Sequence, residues 1–186
     1  LFLFYKTLLK ELNTYFLLKA EQKKFIENLN RITDLNTGTL KDIRRLSMQI
    51  SARNQIMGVV EKISHGAVNA EVQIKLKSGN SLVSIITNTA TENLELNIGD
   101  EVIAVIKSSN VLLSTENEMK LSARNCIKGV IEGINQGEVN SEVVINIGNE
   151  DKMVTIITTN SIKNMNLKVG TKVNAIIKAS DIMIGR

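Results

Sequence analysis

Two hydrophobic periods divide the chain. Between residues 3 and 29, apolar side chains recur at three- and four-residue steps (Leu8, Leu12, Tyr15, Leu18, Phe25, Leu29), with Ile26 and Ile32 widening the stripe. That spacing predicts one long amphipathic helix, whose continuous apolar face needs a partner along much of its length. Asp34, Asn36 and Gly38 then supply turn chemistry, and Thr39 is placed to cap a second, short helix over 40–49. After residue 50 the pattern changes to short β-branched runs punctuated by Gly and Asn. These predict strands over 56–64, 69–76, 81–87, 101–108 and 111–114, with a helical turn over 89–94. A second series follows over 127–134, 141–147, 153–158, 172–178 and 181–184.

The two series are copies of one unit. Ser-Ala-Arg-Asn opens both, at Ser51 and again at Ser122, and residues 51–114 laid over 122–185 without a gap agree at 27 of 64 positions. Residues 1–50 are therefore a helical dimerisation or linker segment, 51–118 the first repeat and 119–186 the second. Five short strands in about 65 residues suggest a small barrel of the oligonucleotide/oligosaccharide-binding type. A barrel of that size is marginal alone, and two fused copies bury more. The expected fold is mainly β with an N-terminal α segment: two tandem five-stranded OB-like barrels preceded by a long amphipathic helix.

Charge and aromatics sharpen the division. Residues 1–50 hold nine Lys or Arg against five acids, whereas 51–186 hold fourteen of each, so the net charge of +4 belongs to the first segment. All six aromatic residues lie there too. A single-stranded nucleic-acid binder needs aromatic platforms and a basic groove, which the duplicated region lacks. No run is long and apolar enough for a membrane span, and no signal-like core with a small-residue cleavage site is present. The single cysteine, Cys126, fits a reducing cytoplasm and is expected to be a small buried residue. His65, the only histidine, falls in a predicted turn with no nucleophile or metal cluster beside it, so no enzyme is expected.

Beyond its apolar framework the repeat keeps a polar set: Ser51/Ser122, Arg53/Arg124, Thr87/Thr158 and Lys107/Lys178. A dianionic oxyanion asks for cationic donors, hydroxyls and free backbone N–H groups converging with water excluded. Arginine offers a planar fork and lysine a compact charge. Serines 108 and 109 leave room for close approach of backbone amides. These elements come from opposite ends of the repeat and meet only if the barrel folds back or a neighbouring repeat contributes.

The Ser-Ala-Arg-Asn opening resembles the molybdate-binding Mop repeat of the TOBE group of β-barrels. So do Ile-Ile-Thr-Thr-Asn-Ser at 156–161, Leu-Lys-Val-Gly-Thr-Lys-Val at 167–173 and Ile-Lys-Ala-Ser at 177–180. In tandem, and with Leu-Ser-Met-Gln-Ile at 46–50 leading in, they are similar to the effector region of molybdate-responsive transcription regulators of the ModE type. The resemblance implies a homodimer with molybdate or tungstate held between repeats, the opening serine and arginine facing the threonine and lysine of another repeat. Carried onto this chain it implicates Ser51, Ala52, Arg53, Thr87, Ala90, Lys107 and Ser108, and in the second copy Ser122, Arg124, Thr158, Ser161, Lys178 and Ala179. The family's serine three residues after the threonine is Ala90 in the first copy and Ser161 in the second. No organic cofactor and no metal ion other than as the oxyanion is implied. Contact with DNA is expected only through a winged-helix part absent from this sequence, which starts at Leu1 rather than Met. A storage protein built of the same repeats is the main rival. An importer's accessory domain is another, but the chain has no phosphate-binding loop of the Gly-x-x-x-x-Gly-Lys-Ser/Thr kind.

Overall fold

The structure, a computed structural model, describes residues 50–116, 120–149 and 151–186. The helices expected over 3–29 and 40–49 lie outside the described residues. The first repeat runs β1 (Asn54–His65), β2 (Asn69–Leu76), β3 (Ser81–Thr87), a short helix α1 (Asn88–Asn93), β4 (Glu101–Ile106), a 3-10 turn (Ser108–Asn110) and β5 (Leu112–Ser114). The second repeats the order: β6 (Asn125–Asn135), β7 (Asn140–Gly148), β8 (Asp151–Thr158), α2 (Thr159–Asn164), β9 (Lys172–Ile177), a 3-10 turn (Ala179–Asp181) and β10 (Ile182–Gly185).

The strands alternate as half-buried strands should. On β2, Ala70, Val72, Ile74 and Leu76 face inward while Glu71, Gln73 and Lys75 face out. β4 and β9 differ: Val102–Ile106 and Val173–Ile177 are buried on both faces. The strand predicted over 101–108 stops at Ile106 because the chain turns there, Asn110 N–H donating to Lys107 C=O at 2.9 Å. β1 and β6 carry a register shift at Val60/Lys62 and at Ile131/Gly133, a bulge that curls each sheet. Where β1 crosses β2 the backbones are so close that a Cβ on Gly58 would lie 2.7 Å from Lys75 O, and one on Gly129 2.8 Å from Asn146 O.

The two sheets do not follow the two repeats. Their strand orders are β10-β4-β1-β2-β3 and β5-β9-β6-β7-β8, all antiparallel. The last strand of each repeat has left its own sheet and completed the other, with Ile182 opposite Ile106 and Leu112 opposite Ile176. A hydroxyl then secures each exchanged segment from the far edge: Ser84 Oγ donates to Ile182 O at 2.6 Å and Thr155 Oγ1 to Val111 O at 2.5 Å. Ile182 and Val111 are each about 1% exposed, so each exchange buries an anchor side chain worth roughly 1.5–3 kcal/mol. One core cluster runs through both barrels in consequence. The sequence pattern places the five strands of each copy but not this reciprocal exchange.

Candidate functional site

The ladder between β1 and β4 ends at Asn54 opposite Ile106, and that between β6 and β9 at Asn125 opposite Ile177. Arg53 and Lys107 are the residues just beyond the end of the first of these ladders, and Arg124 and Lys178 those just beyond the second. All four cations are exposed, as are Ser51 and Ser122, with Ala52 half-buried between Ser51 and Arg53. Ser108 and Ala179, the residues after the lysines, are buried at the start of the 3-10 turns, so their backbones rather than their side chains adjoin the site. A shallow recess takes in Ser122 and Lys178 together with Ser109 and Asn110 of the other repeat's turn.

The arginines are aimed by a residue to which sequence reasoning gave no role. Asn54 is 2% exposed; its Nδ2 donates to Val154 O at 2.8 Å and its Oδ1 accepts from Val154 N–H at 2.6 Å. Asn125 does the same with Val83, at 2.9 and 2.7 Å. Each side-chain amide so mimics one more strand residue against the opposite repeat. A signal existed: the inward positions of β1 run Asn54, Ile56, Gly58 and Val60, which puts an amide where it must find buried partners.

From these anchors the arginines cross to the other repeat. Arg53 forms an ion pair with Glu142, and Arg124 with Glu71 at 3.0 Å. Arg53, Asn135, Asn140, Glu142 and Ile156 line one cleft. Ile156 lies on β8 two residues before Thr158, and Asn140 pairs with Thr158 across the ladder. The arginine of one repeat therefore approaches the strand that ends in the threonine of the other. Among the described residues no hydrogen bond or ion pair joins Thr87 or Thr158 to any of the four cations. The glutamates, like the asparagines, were missed, although both recur in register on the polar face of their strands.

At the hydroxyl end, Thr87 caps α1 by accepting from Ala90 N–H, and Thr158 caps α2 by accepting from Ser161 N–H, both at 3.1 Å. Only the second copy adds a side-chain contact, Thr158 Oγ1 to Ser161 Oγ at 2.7 Å. Thr91 does not replace the missing hydroxyl, since it is buried and donates to Asn88 O at 2.6 Å. His65 ends β1, exposed, its Nδ1 3.3 Å from Asn88 Oδ1. Cys126 is exposed rather than buried, because the flanking Asn125 and Ile127 take the inward positions of β6. Among the described residues no His, Cys, Asp and Glu cluster is arranged to hold a metal ion, and no helix is long and apolar enough to cross a membrane.

The TOBE domain model matches residues 50–113 and 121–184. The chain is similar to the molybdenum transport protein ModE of Azotobacter vinelandii, 36% identical over 175 residues that cover 91% of this chain and 65% of that protein. It is similar also to the molybdenum-pterin-binding protein MopA of Rhodobacter capsulatus, at 34% identity over 78% of this chain and 55% of MopA. This chain thus spans between about half and two thirds of the length of these relatives. Among solved structures, the cytoplasmic molybdate-binding protein ModG with molybdate bound superposes with a TM-score of 0.72. It is 39% identical and covers 74% of this chain and 99% of its own.

Proposed function

The chain belongs to the TOBE domain family, and on that footing we propose that it binds molybdate, with tungstate as a near-equal ligand, through its paired strand-end cations. The observation that supports this reading is that both ladders end in exposed cations, Arg53 and Lys107 just beyond the first and Arg124 and Lys178 just beyond the second. Exposed cations kept in register in both copies serve an anion better than they serve the fold. Arginine supplies a fork, lysine a point charge, and Ser51 or Ser122 a hydroxyl donor. The N–H groups at Ser108 and Ala179 are the backbone donors of the set.

Thr158 with Ser161 is the hydroxyl half of one set and Thr87, beside Ala90, that of the other, each brought to the cations from a facing repeat. A second copy of the chain closes the sites. Exposed apolar residues recurring in register support such a dimer: Val68 and Val139, Ile98 and Val169, Leu112 and Met183. ModG's description as cytoplasmic supports the same location here.

The molybdate-binding part serves a transcription regulator in this reading. The ModE match covers 91% of the chain, more than the duplicated region from 51 to 186, which is 136 of 186 residues or about 73%; it must run into the N-terminal segment. A storage protein is the second reading, favoured by the ModG superposition, which covers 74% of this chain and nearly all of ModG.

Titration calorimetry of the dimer with molybdate, tungstate and sulfate tests the binding. Strong heats for the first two and little for sulfate are expected; no heat and no thermal shift at micromolar molybdate would overturn the reading. Limited proteolysis within residues 1–49, with and without molybdate, separates regulator from store. A ligand-dependent cleavage pattern is expected of the regulator, and an unchanged one of the store.

A further inference from the structure

We propose that Glu142 and Glu71 are the resident anions of the two sites: in the unliganded chain each carboxylate occupies the arginine of the opposite repeat, and the oxyanion must displace it. This rests on the molybdate reading and adds a competitor to it. The geometry is the same twice. Asn54 is tied to Val154; two residues along β8, Ile156 pairs with Glu142, and Glu142 meets Arg53. Asn125 is tied to Val83; two residues along β3, Ile85 pairs with Glu71, and Glu71 meets Arg124. The anchor fixes where each arginine leaves the backbone, and from there the carboxylate of the opposite repeat is the partner it meets.

Other acids separate this arrangement from ordinary surface pairing. Glu61 and Glu132 also recur in register, but they serve their own repeats, accepting from Gln73 at 2.9 Å and pairing with Lys152 at 2.7 Å. Glu71 and Glu142 each form an ion pair with an arginine of the candidate sites. The pairs are not needed to join the repeats, which the exchanged strands and the asparagine anchors already do. They are also weak enough to yield. With arginine side chains 51% and 56% exposed, such a pair holds its partner by a factor of about five at most. A dianion facing both arginine and lysine outcompetes one carboxylate, whereas a monovalent anion facing the same pair gains less. The glutamate therefore weakens chloride-like anions at the site by up to about fivefold, and the doubly charged oxyanion overcomes that handicap more readily.

The test is calorimetry with sodium molybdate on the full chain in low-chloride buffer, comparing the parent with Glu71→Gln, Glu142→Gln and the double variant. Glu132→Gln serves as a charge-matched control. The double variant is expected to bind roughly two- to fivefold more tightly, with the gain fading at about 0.5 M chloride as the pair is screened. Chloride should compete more effectively in the double variant than in the parent. Equal or weaker binding by the glutamine variants, or the same gain in Glu132→Gln, would overturn the displacement while leaving molybdate binding intact. A parent chain that binds no molybdate would overturn both. Because the two glutamates lie on the outer face, far-ultraviolet circular dichroism of every variant should match the parent.

Discussion

Replacing Asn54 by alanine removes one of the two amide anchors between the repeats, and its cost follows from the bonds it makes. The side chain accepts from Val154 N–H at 2.6 Å and donates to Val154 O at 2.8 Å, with a longer contact to Ile106 O at 3.3 Å. Each good hydrogen bond contributes about 0.5–1.5 kcal/mol net, and each partner left unsatisfied away from water adds a desolvation cost of about 1–3 kcal/mol. Val154 is half-buried, so water recovers part of that cost, and a total of roughly 2–4 kcal/mol is expected. For a chain of this size it corresponds to a melting temperature lower by about 5–15 °C. Urea unfolding followed by circular dichroism gives the free energy directly. Asn125→Ala should cost a similar amount. Asn54→Asp should be no better than alanine, since a carboxylate would face two carbonyl oxygens. Loss of less than 1 kcal/mol for both alanine variants would refute the idea that the asparagine anchors hold the repeats together.

Deleting residues 182–186 removes β10, which belongs to the sheet of the first repeat. Hydrogen exchange should accelerate in β4 and β3 well before it does in β9, the reverse of what an unexchanged barrel would show. Gly58→Ala forces a Cβ to within 2.7 Å of Lys75 O, a backbone atom that cannot step aside, and should destabilise by about 1–3 kcal/mol in chemical unfolding. Ala90→Ser supplies the first repeat with the hydroxyl that Ser161 gives the second. Calorimetry should show tighter molybdate binding at the weaker class of site, with melting temperature nearly unchanged. Arg53→Gln combined with Lys107→Gln should weaken binding at the first site at least tenfold while altering unfolding free energy by about 0.5 kcal/mol or less, as exposed charges do.

Much of the described fold was legible because it is local. The strands over 69–76 and 81–87 match those of the structure, since alternation and turn residues fix them without reference to partners. The recurrence of Arg53, Lys107, Thr87 and their counterparts was likewise visible as sequence identity at a fixed spacing. Their arrangement was not. Only the ladder register showed that arginine and lysine flank the ends of the same two strands in each copy. Asn54 and Glu142 carried a signal, a buried position and an in-register acid, but their partners lie some 90–100 residues away and leave no local trace.

The chain's own sequence determined that there are two copies of a five-stranded unit, where their turns fall, and which polar residues recur. Alternation, turn chemistry and duplication are properties of neighbours along the chain, and they hold whatever packs against them. Only the tertiary structure decided which barrel each final strand joins. β5 and β10 have near-equivalent edges to pair with, β9 and β4, and the pleated pattern of either strand satisfies both. The choice between them, and with it the cross-repeat contacts that aim Arg53 at Glu142 and Arg124 at Glu71, depends on how the two repeats sit against each other in space.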